Sequence, residues 1–130
     1  MEASPSTLYV RARMPPIDLA SLQSPLDYLI LRTVSWGAMH GFGIARWLED
    51  RTDAALMVEE GTLYPALHRL ERRKLIRGEW RLTENRRRAK YYRLTAAGER
   101  ALKAQARTWD QLVRVLSQVA TATPGGAEKS

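Results

Sequence analysis

Between Leu63 and Leu94 the apolar period changes from that of a helix to that of a strand. Leu63, Ala66, Leu67 and Leu70 stand at i, i+3, i+4 and i+7, one stripe of an amphipathic helix. Gly61 and Thr62 mark the expected start. Pro65 falls in or just after the first turn, where a missing N–H costs least. Lys74 places a cation near the C-terminal end, which suits the helix dipole. After Ile76 the period becomes two. Trp80 and Leu82 alternate with Glu79 and Arg81, and Tyr92 and Leu94 alternate with Tyr91 and Arg93, as in half-buried strands. Between them lie the turn-favouring Asn85 and the cations Arg86, Arg87, Arg88 and Lys90.

The upstream chain supplies two more helices. Ser24-Pro25-Leu26-Asp27 is a helix start, with Ser as N-cap and Pro at the first helical position. The spacing predicts a helix to about Trp36, ended by Gly37, with Leu26, Leu29, Ile30, Thr33 and Val34 on its buried side. His40-Gly41-Phe42-Gly43 reads as a turn into a second helix over about Gly43 to Arg51, striped by Ile44, Trp47 and Leu48. Helix, turn, helix and then a hairpin with a cationic tip is the layout of a winged helix.

Thr95 is the expected N-cap of a last helix running to about Ala120. Leu102, Ala106, Trp109, Leu112, Val113, Leu116, Val119 and Ala120 form its stripe. The stripe is too long for so small a domain to cover unaided, so a partner helix, hence a homodimer, is expected; the alternative is that it folds back on the chain's own first helix. The predicted fold is mainly α with a small β-hairpin: a winged helix-turn-helix plus a long C-terminal dimerisation helix. The expected divisions are a flexible arm over residues 1–20, a winged-helix domain over 21–96, the dimerisation helix over 97–121 and a disordered tail over 122–130.

Charge narrows the partner. The chain carries a formal net charge of +7. Between Arg69 and Arg100 there are 12 Lys or Arg against 4 Glu, a local +8, so the remainder is close to neutral. Such a run can be a merely solvated face, but an excess focused on one helix and one hairpin tip points to nucleic acid, and the winged-helix layout makes the expected partner double-stranded DNA. Other classes recede. There is no cysteine, which removes disulfides, thiolate metal sites and cysteine nucleophiles. No apolar run approaches bilayer length, and no apolar signal core opens the chain, so a cytoplasmic location and no membrane partner are expected. His40 and His68 are the only histidines, and no third residue stands at ligand spacing, so neither metal nor cofactor is expected. His40 is expected to cap or pack at its helix start. An enzyme is not expected: there is no Gly-rich phosphate loop, and the adjacent Glu59 and Glu60 would point about 100° apart on a helix.

The candidate DNA contacts fall in two groups. Thr62, Tyr64, His68, Arg69 and Arg72 lie off the apolar stripe of the third helix, whose N-terminal residues would come nearest to base edges. Asn85, Arg86, Arg87, Arg88 and Lys90 form the tip, where arginine forks suit phosphates or a narrow minor groove. Tyr64 could instead pack against the wing, and His68 could face solvent only. Arg11 and Arg13 could touch phosphates or belong to a disordered tail.

Gly61-Thr-Leu-Tyr-Pro-Ala-Leu-His-Arg-Leu-Glu71, Leu75-Ile76, Arg88-Ala-Lys-Tyr-Tyr-Arg-Leu-Thr-Ala-Ala-Gly98 and His40-Gly-Phe-Gly-Ile44 together resemble the PadR family of bacterial transcriptional regulators, over roughly residues 20–120. The resemblance implies a homodimeric DNA-binding protein, mostly a repressor, on an inverted-repeat operator. It implies further an effector, hydrophobic or phenolic, at the dimer interface, where Trp109 with Leu112 and Val113 is the tentative site; Trp109 could instead serve packing only. Two departures stand out: the arm is longer than in the family, and Gly43 replaces an often acidic residue. The alternative reading is a dimeric ligand-binding or RNA-binding winged-helix module without operator function.

Overall fold

The structure is a computed structural model that describes residues 16–19, 22 and 24–124. Helix α1 spans Pro25–Val34, and the Ser24 hydroxyl accepts the Leu26 N–H at 3.1 Å. It stops two residues before Trp36 because Ser35 turns back on Arg32, its hydroxyl donating to that carbonyl at 2.6 Å. Strand β1 is Met39–His40. Helix α2 is Gly41–Arg51 and begins two residues earlier than the spacing suggested. Its cap is a histidine: His40 Nδ1 accepts the Gly43 N–H at 2.9 Å, satisfying an otherwise unpaired donor. His40 thus caps its helix, one of the two roles the sequence allowed.

Helix α3 is Glu60–Arg72 and starts just ahead of Gly61. Pro65 therefore sits in its second turn, and the carbonyl left without a donor belongs to the exposed Gly61, where water can reach it. The helix ends in a Schellman motif. The Lys74 N–H donates to Glu71 at 2.9 Å and the Leu75 N–H to Leu70 at 3.0 Å, with Lys74 at φ 63°. That turn aims the chain into β2.

Strands β2 (Ile76–Leu82) and β3 (Arg88–Leu94) form an antiparallel hairpin with Trp80 opposite Lys90. The sheet has three strands rather than the two expected, in the order β1-β3-β2. Met39 and His40 pair with Tyr92 and Tyr91 because the residues leading into α2 are already extended. The tip is a three-residue loop with a bulge: Arg86 N–H donates to Thr83 at 2.9 Å, and Thr83 N–H donates to Arg87 at 2.7 Å. Its left-handed position is held by Arg86, at φ 64°. Trp80 and Leu82, read as half-buried, are 60% and 67% exposed. The hairpin projects past the core, and only its base, Ile76 with Tyr92, is covered.

The core joins Ile30, Leu31 and Val34 of α1, Ile44 and Leu48 of α2, and Leu63, Ala66, Leu67 and Leu70 of α3. Helix α4 is Ala96–Thr121. Thr95 caps it as expected, its Oγ1 accepting the Gly98 N–H at 2.9 Å. The same hydroxyl reaches the Lys74 carbonyl at 2.8 Å, so one threonine fastens α4 to the end of α3. Contacts divide the chain into Gln23–Arg107 and a second unit formed by residues 1–22 and 108–130. On α4, Leu102 packs on the core, Leu112 is buried, and Val113, Leu116 and Val119 are exposed. The arm and the tail, with Arg11 and Arg13, fall almost wholly outside the described residues.

Gly98 touches the backbone. A Cβ there would fall inside the van der Waals shell of the Leu75 carbonyl oxygen, which cannot retreat without opening the junction. Gly98→Ala is expected to lower stability by about 3 kcal/mol, read as a drop in the urea midpoint at unchanged m-value.

Candidate nucleic-acid interface

Burial of the α3 stripe turns the opposite side of that helix outward. Tyr64, His68 and Arg72 follow one another at i, i+4 and i+8 and are exposed, as is Thr62 in the first turn. Tyr64 also has structural work. Its ring lies on Gly41 so closely that a Cβ there would sit 2.7 Å from the phenolic oxygen. The tyrosine thus packs across the helix-turn-helix on the first turn of α2, and only 37% of it is exposed.

Ten residues were expected to contact DNA, and two of their cations are paired within the molecule. Arg69 Nη2 lies 2.9 Å from Oδ1 of Asp27, whose side chain is 7% exposed, tying α3 to α1. Lys90 Nζ lies 2.9 Å from Glu71 Oε1, tying β3 to α3. The hydrogen bond it donates to Glu71 holds the Lys90 ammonium above the ordinary lysine value of 10.5. A raised lysine stabilises the fold fully below that value and stops doing so only as pH climbs past it, so this tie is complete at neutral pH. Burial likewise raises the Tyr92 phenol beneath it. Arg81 and Arg93 share Glu79 at 3.8 and 3.3 Å.

Among the described residues, Arg72, Arg73, Lys74, Arg77, Arg86 and Arg87 make no ion pair. Arg88 stacks on Trp80, its guanidinium carbon 5.1 Å from the ring centroid. Helix and wing share one groove of about 680 Å³, with Phe42, Tyr64 and His68 on one side and Trp80, Arg87 and Arg88 on the other. Thr83, Asn85 and Lys90 also line it, and no carboxylate does. Sequence reasoning assigned no role here to Phe42 or Trp80. The available signal for Phe42 was its place off the α2 stripe. Trp80 carried a misleading one, its alternation. No group of three potential metal ligands occurs among the described residues, and none of the helices there is long and apolar enough to cross a membrane.

The model of the transcriptional regulator PadR-like family matches residues 30–104. The chain belongs to this family. A transcriptional regulator of Mycobacterium tuberculosis is 37% identical over 86 residues, which is 65% of this chain and 76% of that one. A PadR family transcription regulator from Clostridium difficile has a similar structure, at TM-score 0.64 and 28% identity, over 75% of this chain and 99% of its own. Bacillus subtilis PadR, solved in complex with operator DNA, shares the fold at TM-score 0.56 and 22% identity, over 62% of this chain and 46% of that one. The winged helix-turn-helix is therefore a PadR-family fold, and the chain a PadR-family transcriptional regulator.

The Asp27–Arg69 tie can be measured in this PadR-family scaffold. Arg69→Met leaves a buried carboxylate without its donor and should cost about 2 kcal/mol, read by chemical denaturation at pH 7. Asp27→Asn should cost less, because the amide oxygen still accepts from Arg69.

Proposed function

We propose that this regulator binds an operator in double-stranded DNA as a homodimer and acts as a repressor. The observation that carries the reading is the set of unpaired cations flanking the outward side of α3. Arg72, Arg73 and Lys74 stand at one end and Arg86 and Arg87 at the hairpin tip, and no carboxylate lies in the groove between them. In this reading α3 enters the major groove, where Thr62, Tyr64 and His68 lie nearest the bases and Arg72 holds a phosphate. Asn85, Arg86, Arg87 and Arg88 reach the backbone or the neighbouring minor groove, adding affinity more than specificity. Arg69 and Lys90 act indirectly, by holding the helix and the wing in place. The Bacillus subtilis relative crystallised with operator DNA supports the assignment, as does family membership.

The salt dependence separates these roles. Each phosphate contact contributes about 0.9 to the slope of log K against log salt. Arg86→Ala with Arg87→Ala should flatten the slope by about 1.8 and weaken all duplexes alike, measured by fluorescence anisotropy over a salt series. An unchanged slope would remove the wing from the interface.

The second copy is proposed to seat on the exposed stripe of α4, Val113, Leu116 and Val119, with the half-buried Ala106 and Trp109 at its edge; Leu102 and Leu112, expected there too, are covered within the chain. Two α3 helices about 34 Å apart would then read half-sites one helical turn apart. An effector releasing the operator would have to favour the DNA-incompetent dimer. Trp109, with Leu112 and Val113, is the proposed contact, because an indole there offers a flat stacking surface. Leu116→Glu should give monomers by analytical ultracentrifugation and lower operator affinity by at least a hundredfold, about 2.7 kcal/mol. A variant that remains dimeric would move the interface elsewhere.

A further inference from the structure

The groove between α2, α3 and the wing carries more ring surface than a phosphate-gripping face requires. Phe42 and Trp80 line it while 62% and 60% exposed, and rings this large are ordinarily covered. Each already has a cation close to its ring. Arg46 lies 5.9 Å from the Phe42 centroid and Arg88 lies 5.1 Å from that of Trp80. Duplex DNA gives such rings little to hold, because its bases present edges to the grooves and keep their faces in the stack. An unpaired nucleotide offers both a free face and a phosphate.

We propose that this groove binds single-stranded nucleic acid, with Phe42 and Trp80 stacking on unpaired bases and Arg87 and Arg88 holding the adjoining phosphates. Aromatic platforms in a cationic channel are the general means of gripping a strand without reading its sequence. The occupant is a strand rather than a free aromatic anion because the positive charge continues beyond the groove. Arg86 extends it at the tip, and Arg72 lies one turn of α3 past His68. Repeating phosphates use such a line and a single small anion does not. A strand seated here covers Tyr64 and His68, so it and an operator duplex exclude one another. That exclusion rests on the duplex reading above; strand binding itself does not.

The test uses the full chain and a dye-labelled oligothymidylate of about eight nucleotides, within the usual span of strand sites, followed by anisotropy at low salt. Trp80→Ala and Phe42→Ala should each weaken binding about tenfold, the usual effect of losing one stacked base, and Trp80→Phe should restore most of it. An abasic strand of equal length and charge should bind at least about tenfold more weakly than the oligothymidylate. Both side chains are mostly exposed, so the variants should keep the fold, checked by thermal melting. Ring variants that bind like the parent overturn the proposal, and so does an abasic strand that binds as tightly. Displacement of the oligomer by thymidine monophosphate at equal nucleotide concentration also overturns it, because the ligand is then a free nucleotide. Duplex affinity is read on a separate probe, so its loss or retention tests the operator reading alone.

Discussion

The placement of α3 rests on its buried stripe. Leu63, Ala66, Leu67 and Leu70 are at most 1% exposed, and each fully buried leucine stabilises by roughly 2 kcal/mol. No single ion pair among the described residues matches that sum. The stripe fixes which side of α3 faces out, and with it the outward row of Tyr64, His68 and Arg72. The Asp27–Arg69 and Glu71–Lys90 pairs add less energy but a different constraint. One sets α3 against α1, and the other sets the wing against α3.

Those pairs show a competition for cations inside one basic surface. A net +8 between Arg69 and Arg100 suggests that every cation there is available to an outside polyanion. Glu71, Glu79 and Asp27 claim Lys90, Arg81, Arg93 and Arg69 instead. Among the described residues the cations left over are Arg72, Arg73, Lys74 and Arg77 at or just past the C-terminal end of α3, Arg86, Arg87 and Arg88 at the hairpin tip, and Arg100 on α4. The tip even accepts a left-handed arginine at Arg86, where glycine would be easier, so a charge is kept at that point despite local backbone strain.

The wing shows the limit of reading burial from alternation. Period two correctly marks β2 and β3 as strands, because pleating is a local property of the backbone. It says which residues share a face, and not whether anything covers that face. Trp80 and Leu82 do share one face, but the hairpin runs beyond the helices, so both stay open. The result is an aromatic and cationic groove in which Phe42, from α2, joins Trp80 from the wing. Those two residues are 38 positions apart in the chain, and no local pattern relates them.

The helices, the hairpin, the stripe of α3, the Ser24 and Thr95 caps, the family and the concentration of charge are all legible in the order of residues. All of these depend on neighbours within about one turn or one pleat, or on residues counted along the chain. Tertiary structure alone decided the third strand, the packing of Tyr64 on Gly41, the exposure of Trp80 and the division of cations into internal ties and free charges. Each of these needs distant segments to meet. Asp27 lies 42 positions from Arg69, and Glu71 lies 19 from Lys90. Only a packed core sets those distances, and a charge within 3 Å of its partner plays a different role from the same charge left in water.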